Sequence, residues 1–122
     1  MEKKITRLFY FILFASVISC TYHNEEELYP AETCDTTNVT YNATILPIVT
    51  QNCYECHSGS SPVSGILLEG HSNLKAMIDA ERLLGAIKHQ TGFSPMPKDR
   101  PSLADCDILK IEKWVLDGAL NN

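Results

Sequence analysis

The stretch CYECH, residues 53–57, decides how the rest of the chain is interpreted. Two cysteines two positions apart, followed at once by a histidine, suit three chemistries: a zinc site, a redox-active dithiol or haem attachment. A structural zinc site needs four ligands, and the other histidines and cysteines of this chain stand alone in the sequence. A thioredoxin-like dithiol belongs beside a strand of a βαβ unit, and strand signals are nearly absent. Both of these readings are therefore disfavoured.

Haem attachment explains each residue of the motif. Thiols at this spacing can add to the two vinyl groups along one edge of a porphyrin, and His57 can then ligate the iron. A helix that enters the motif from its N-terminal side would orient both thiols. Because covalent haem of this type is made outside the cytoplasm, the interpretation also requires an exported chain.

Residues 1–19 have the pattern of an export signal. A basic start precedes an apolar run, residues 8–18, that is too short to span a bilayer. The four residues VISC, 17–20, resemble a bacterial lipobox, which implies cleavage before Cys20 and lipid on its thiol. The alternative is an ordinary secretory signal in which this cysteine carries no lipid.

The remainder of the chain is acidic. Removal of residues 1–19 takes away three of the 10 Lys and Arg residues and one of the 15 Asp and Glu residues, which leaves a formal charge of −7. This charge disfavours nucleic-acid binding and favours a partner with a basic docking patch. Residues 20–33 include three consecutive glutamates and are interpreted as a solvated tether. Residues 34–122 are then one small domain.

Apolar spacing predicts an all-α fold with three to five short helices. The first helix starts near residue 39, with Asn42 or Thr44 as N-cap and Pro47 in its first turn. Ser72 is expected to cap a second helix that ends at Asp79, and a third covers residues 83–89.

The last helix has the clearest signals. Ser102 and Asp105 form a variant of the capping box, and Gly118 is a natural stop. Its apolar stripe is flanked by Trp114 and consists of Ala104, Ile108, Ile111 and Val115.

Four segments of this sequence resemble the single-haem class I cytochrome c domain, in particular short bacterial lipoprotein versions. They are TILPIVTQNCYECH, RLLGAIKH, SPMPK and IEKWVLDGA, and the resemblance covers residues 41–119. It implies an N-terminal helix that crosses a C-terminal helix around one covalent haem c, attached at Cys53 and Cys56. It also implies that His57 is the proximal iron ligand and a loop methionine the distal one.

Four side chains are candidates for the distal position. Met77 lies in a helical apolar pattern and is expected in the core. His71 follows the motif too closely to reach the opposite face of the haem. His89 is the main competitor of Met96; its alternative role is a solvated helix C-terminus, where a cation is favoured. Met96 lies between two prolines in a polar loop with little core to fill, so Met96 is the favoured ligand.

Two of the five cysteines remain once Cys20, Cys53 and Cys56 have been assigned. Cys34 and Cys106 are expected to form a disulfide, because spare thiols outside the cytoplasm are more often joined than free. The alternative is a pair of reduced or buried cysteines.

These observations predict an electron carrier rather than an enzyme. The expected protein is a monomer, lipid-anchored in the bacterial cell envelope outside the cytoplasm, that exchanges electrons with a basic redox partner. Ligation by histidine and methionine saturates the iron and raises its potential. The alternative is a haem-based ligand or gas sensor, or a peroxidase-like protein, whose sixth position is open or labile.

Overall fold

A computed structural model describes residues 34–122; the predicted export signal, Cys20 and the predicted tether lie outside the described residues. These residues contain no strand, so the all-α class is confirmed, and five α-helices fall within the expected number. A π-helical turn, Tyr41–Ile45, precedes the first of them, and a 3-10 turn, Val63–Gly65, lies between the second and third. The helices are α1 (Leu46–Asn52), α2 (Tyr54–His57), α3 (His71–Asp79), α4 (Leu83–Ile87) and α5 (Asp105–Leu116).

The π-helical turn is capped by Thr40, whose hydroxyl accepts from the Ala43 amide at 3.3 Å. The N-cap prediction of Asn42 or Thr44 was therefore wrong. Pro47 lies in the first turn of α1, as expected. Because Pro47 has no N–H and its ring would crowd the carbonyl four residues earlier, the wider turn before α1 suits this position.

The expected caps of α3 and α5 were also wrong. Gly70 and Ala104 occupy these N-cap positions, and neither helix has a side-chain cap bond. Ser72 lies inside the first turn of α3, so its hydroxyl is past the cap position. Ser102 lies too early because Leu103, buried in the core, separates it from the start of α5.

Helices α3, α4 and α5 end with the same backbone arrangement. In α5 the Ala119 amide donates to the Trp114 carbonyl at 2.9 Å, and the Gly118 amide donates to Val115 at 3.0 Å, which is a Schellman motif. The residue that follows each C-cap is left-handed: Glu81 (φ 56°), His89 (φ 51°) and Gly118 (φ 95°). Gly118 thus stops α5 as predicted.

The core lies between the π-helical turn and α5. The Tyr41 and Trp114 rings stack with centroids 5.7 Å apart, and the indole N–H donates to the Leu120 carbonyl at 2.9 Å. Ile111 is buried, Ile108 and Val115 are partly buried, and Ala104 is exposed, so only part of the predicted α5 stripe faces the core. The first and last helical segments therefore pack directly on each other.

The structure joins Cys34 and Cys106 in a disulfide, with Cα atoms 5.3 Å apart. The bond links the segment before the π-helical turn to the first turn of α5. Both residues are half-buried. The disulfide thus holds the N-terminal end of the described residues against α5.

Candidate functional site

A cavity of about 550 Å³ lies beside the CYECH motif. Its volume is within the range of roughly 300–1,000 Å³ that is usual for small-molecule and cofactor sites. Two stretches of chain contribute to its lining: residues 52–57, here the motif segment, and residues 92–100, here the loop segment. Apolar side chains between them complete the wall, including Leu68, Met77, Leu83, Ile87 and Leu103.

His57 is the best-fixed polar side chain of the cavity. It ends α2, is 8% exposed, and its Nδ1 lies 2.9 Å from the Ile66 carbonyl oxygen. A carbonyl can only accept, so the Nδ1–H donates this bond, and in the neutral ring the lone pair is then on Nε2. The Leu68 amide donates to the His57 carbonyl at 2.8 Å, which secures the backbone as well.

The two motif cysteines also line the cavity and are free thiols. Cys53 is half-buried and Cys56 is exposed. Burial raises the pKa of the Cys53 thiol to about 11. Dithiols that carry out disulfide exchange have a lowered pKa, because the thiolate is the nucleophile. The environment of Cys53 is therefore unsuited to a thioredoxin-like function.

The four candidates for a second iron ligand fall into two groups. Met77 and Met96 line the cavity, whereas His71 and His89 do not. His71 packs its ring against Tyr41, with centroids 4.9 Å apart, and its Nε2 lies 2.8 Å from the Ala119 carbonyl oxygen. The His89 ring instead contacts the backbone of Met96.

Phe93 is a cavity residue that the sequence did not single out. Its ring lies against Gly85 of α4, where an added Cβ would come within 2.5–2.6 Å of the ring carbons. Phe93 and Val63 are also exposed by 38% and 56%, and both line the cavity. The sequence did contain one sign of this contact, the glycine inside the helical pattern of RLLGAIKH. A larger residue at that position would collide with the Phe93 ring.

Three cations, Arg82, Lys98 and Arg100, line the cavity together with one carboxylate, Glu55. Arg100 Nη2 lies 2.8 Å from Glu55 Oε2 and so joins the loop segment to the motif segment. Arg82 has no carboxylate within 4.0 Å among residues 34–122. The cavity is thus apolar inside and cationic at its exposed edge, although the domain as a whole is acidic.

The lining suits a flat apolar group that carries carboxylates. Phe93 and Val63 offer the apolar contact, and Arg82, Lys98 and Arg100 offer the positive charge. No three His, Cys, Asp or Glu side chains of the described domain come together as a metal-binding group. His57 is the one histidine among the residues that line the cavity.

Comparisons with protein-family models, with curated proteins and with solved structures found no match to this chain.

Proposed function

We propose that this chain is a membrane-anchored, single-haem c-type cytochrome that transfers electrons and transforms no substrate. The observation that carries the proposal is that Cys53, Cys56, His57 and Met96 line one apolar cavity of suitable size. The sequence motif alone predicts chemistry at residues 53–57. The cavity adds a space beside Cys53 and Cys56 in which an attached haem would lie.

Each lining residue has a distinct role in the proposal. Cys53 and Cys56 would form the thioether bonds, and His57 would ligate the iron through Nε2 while Nδ1 donates to Ile66. Met96 would supply the sixth ligand. Haem, when bound, supplies an iron that alternates between the ferrous and ferric states.

The remaining lining sets the environment of the iron. Apolar side chains such as Leu68, Leu83 and Leu103 limit the access of water, which favours the less charged ferrous state. Arg82 and Arg100 would offset the charge of the propionates. The protein's contribution is thus to hold the group, set its potential and leave one edge accessible to a partner.

The decisive test is an optical spectrum of the purified protein combined with acid–acetone extraction. The wild type is expected to show the bands of haem c and to keep its colour through extraction, because thioether bonds survive acid. The Cys53→Ser/Cys56→Ser variant is expected to lose the haem.

The matched control is Cys34→Ser/Cys106→Ser, which also removes two cysteines but leaves the motif intact. Measured at low temperature, it is expected to keep the covalent haem. Extraction of the colour from the wild type would end the cytochrome proposal.

Carbon monoxide separates a carrier from a sensor or a peroxidase-like protein. A methionine-ligated iron is expected to bind this gas slowly and weakly in the reduced protein, since Met96 must first dissociate. Rapid binding at equilibrium by the wild type would favour the sensor.

The anchor in this proposal is lipid on Cys20, which lies outside the described residues. Within residues 34–122, no helix has the length and hydrophobicity to cross a membrane. Cys20→Ala is expected to abolish lipid labelling. Labelling that persists in this variant would show that another residue carries the lipid.

The proposed redox partner has a basic docking patch, because the chain is acidic overall. The cations at the cavity edge allow a sharp test of this proposal. With a basic partner, Lys98→Gln is expected to speed electron transfer at low salt, and Asp107→Asn is expected to slow it. Both effects should fade as ionic strength rises. Slower transfer by Lys98→Gln would show that the partner is acidic where it meets the cavity.

A further inference from the structure

The end of α4 places a histidine where glycine is usual. The Gln90 amide donates to the Gly85 carbonyl at 3.0 Å and the His89 amide donates to Ala86 at 3.2 Å, which completes a Schellman motif. The left-handed residue of this motif is usually glycine, because a Cβ is unfavourable there. This chain has His89 at the position, with φ 51°.

A side chain at a position that favours glycine costs conformational energy, and such residues often have a structural or functional role. Histidine is among the residues that tolerate the left-handed region better than most, so tolerance alone is one answer. Glu81 ends α3 in the same way, with φ 56°, and its amide donates to Ile78 at 2.8 Å. Glu81 takes part in no ion pair among residues 34–122 and does not line the cavity.

His89 differs from Glu81 because its ring reaches the loop segment. His89 Nε2 lies 3.1 Å from the Met96 carbonyl oxygen, so the ring N–H donates to it. On its other side, the Met96 amide donates to the Ala86 carbonyl at 3.0 Å. Both backbone polar groups of Met96 are therefore bonded to the end of α4.

These two hydrogen bonds hold Met96 in place in a loop whose other residues are mostly exposed. Gly92, Ser94, Pro95 and Lys98 are all exposed, whereas Met96 is half-buried. Pro95 and Pro97 have no amide hydrogen, so the Met96 amide is the donor available between them. The position of the Met96 side chain therefore depends on α4 rather than on the loop itself.

We propose that His89 is a positioning residue, which holds the Met96 backbone so that the thioether points into the cavity. The inference rests on the proposed function for its consequence at the iron, but the contact itself exists in the polypeptide. His89 binds no metal in this scheme; it limits how often Met96 leaves the cavity. The ring contact gives the side chain at this left-handed position a role.

The test is His89→Gly with Glu81→Gly as its matched control. Each change removes a side chain from a left-handed C′ position, so each relieves strain of the same kind. Thermal unfolding is expected to show at most a small loss of stability in either variant. The loss should not exceed the contribution of one hydrogen bond. Only His89→Gly is expected to release the Met96 backbone.

Two measurements detect this release. Hydrogen exchange at the Met96 amide is expected to become about five- to tenfold faster in His89→Gly, the factor that suits the loss of one hydrogen bond. Carbon monoxide binding to the reduced protein should rise by a similar factor. Glu81→Gly is expected to leave both rates unchanged, and His89→Gln, whose amide can still donate, is expected to restore them in part.

The outcomes separate the inference from the proposed function. Equal exchange rates at Met96 in His89→Gly and Glu81→Gly would overturn the role of His89, whether or not haem is bound. Faster exchange in a protein that carries no haem would support the contact and contradict the cytochrome proposal. Faster exchange with an unchanged carbon monoxide rate would show that His89 holds the loop but does not position an iron ligand.

Discussion

The motif segment and the loop segment line the same cavity but are stabilised in different ways. His57 is buried, and both its ring and its backbone bond to residues 66–68. In the loop segment every residue except Met96 and Pro97 is exposed, and the bonds to Met96 come from α4. His57 is thus fixed by a few residues close to it in the chain, whereas Met96 depends on a separate helix.

Loss of the disulfide should have the largest effect on stability, and it should act on both segments through the whole domain. Loss of the Cys34–Cys106 disulfide in the double serine variant should lower the free energy of unfolding by about 4 kcal/mol in the chain-entropy model, since 72 positions separate the two residues. Chemical denaturation measures the loss. Amides of either segment that exchange only through global unfolding should show this same loss of protection. Non-reducing peptide maps that find both thiols free after aerobic purification would contradict the bond itself.

The next test compares the two methionines of the cavity. Met96→Ala should abolish the weak near-infrared sulfur-to-iron band, lower the redox potential and open the iron to carbon monoxide. Met77→Ala should keep the band and lower the free energy of unfolding by about 2–3 kcal/mol, because Met77 packs against the core. A wild type without the band, or loss of the band on changing Met77 alone, would contradict the assignment of Met96.

A smaller effect is expected at the contact between α4 and the loop segment. Gly85→Ala would place a methyl group within 2.5–2.6 Å of the Phe93 ring, so the ring must move. Overpacking of this kind should cost about 1–2 kcal/mol of unfolding free energy. Phe93→Leu in the same chain should recover part of this loss, because leucine leaves room for the methyl group. Additive losses in the double variant would mean that the two residues do not compete for space.

The smallest effect is expected at the direct link between the two segments. Glu55 and Arg100 are exposed by 68% and 57%, so their ion pair is screened by solvent. A double-mutant cycle with Glu55→Gln and Arg100→Gln should give a coupling of about 0.5 kcal/mol or less, which vanishes in molar salt. A coupling several times larger would show that the segments stabilise each other directly and not through the core.

Some features of the site were evident from residue types and spacing. The CYECH motif placed two thiols and a histidine together because they share one helical turn. Met96 stood out because two prolines flank it in a polar loop. The helical class followed from apolar spacing, and Gly118 was recognised as a helix stop. Each of these depends on residues that are close in the chain.

Other features could not be read from the chain. The caps at Thr40, Gly70 and Ala104 depend on where each helix meets the core, so local capping patterns pointed to the wrong residues. The contact between Gly85 and Phe93 joins residues whose packing needs the folded loop. His89 was weighed as an iron ligand or a solvated helix end, and its contact with Met96 was not foreseen.

Residue types and the local motif alone show which reactive groups this protein offers, because thiols, imidazole and thioether are properties of single side chains. Which of these groups share a cavity becomes evident only in the folded domain. It brings residues 52–57 and 92–100 to the same apolar space, adds the cations at its edge and sends His71 to the Tyr41 and Trp114 rings. The physical reason is that a cavity and its charges arise where distant segments pack, and packing is a property of the whole core rather than of any one stretch.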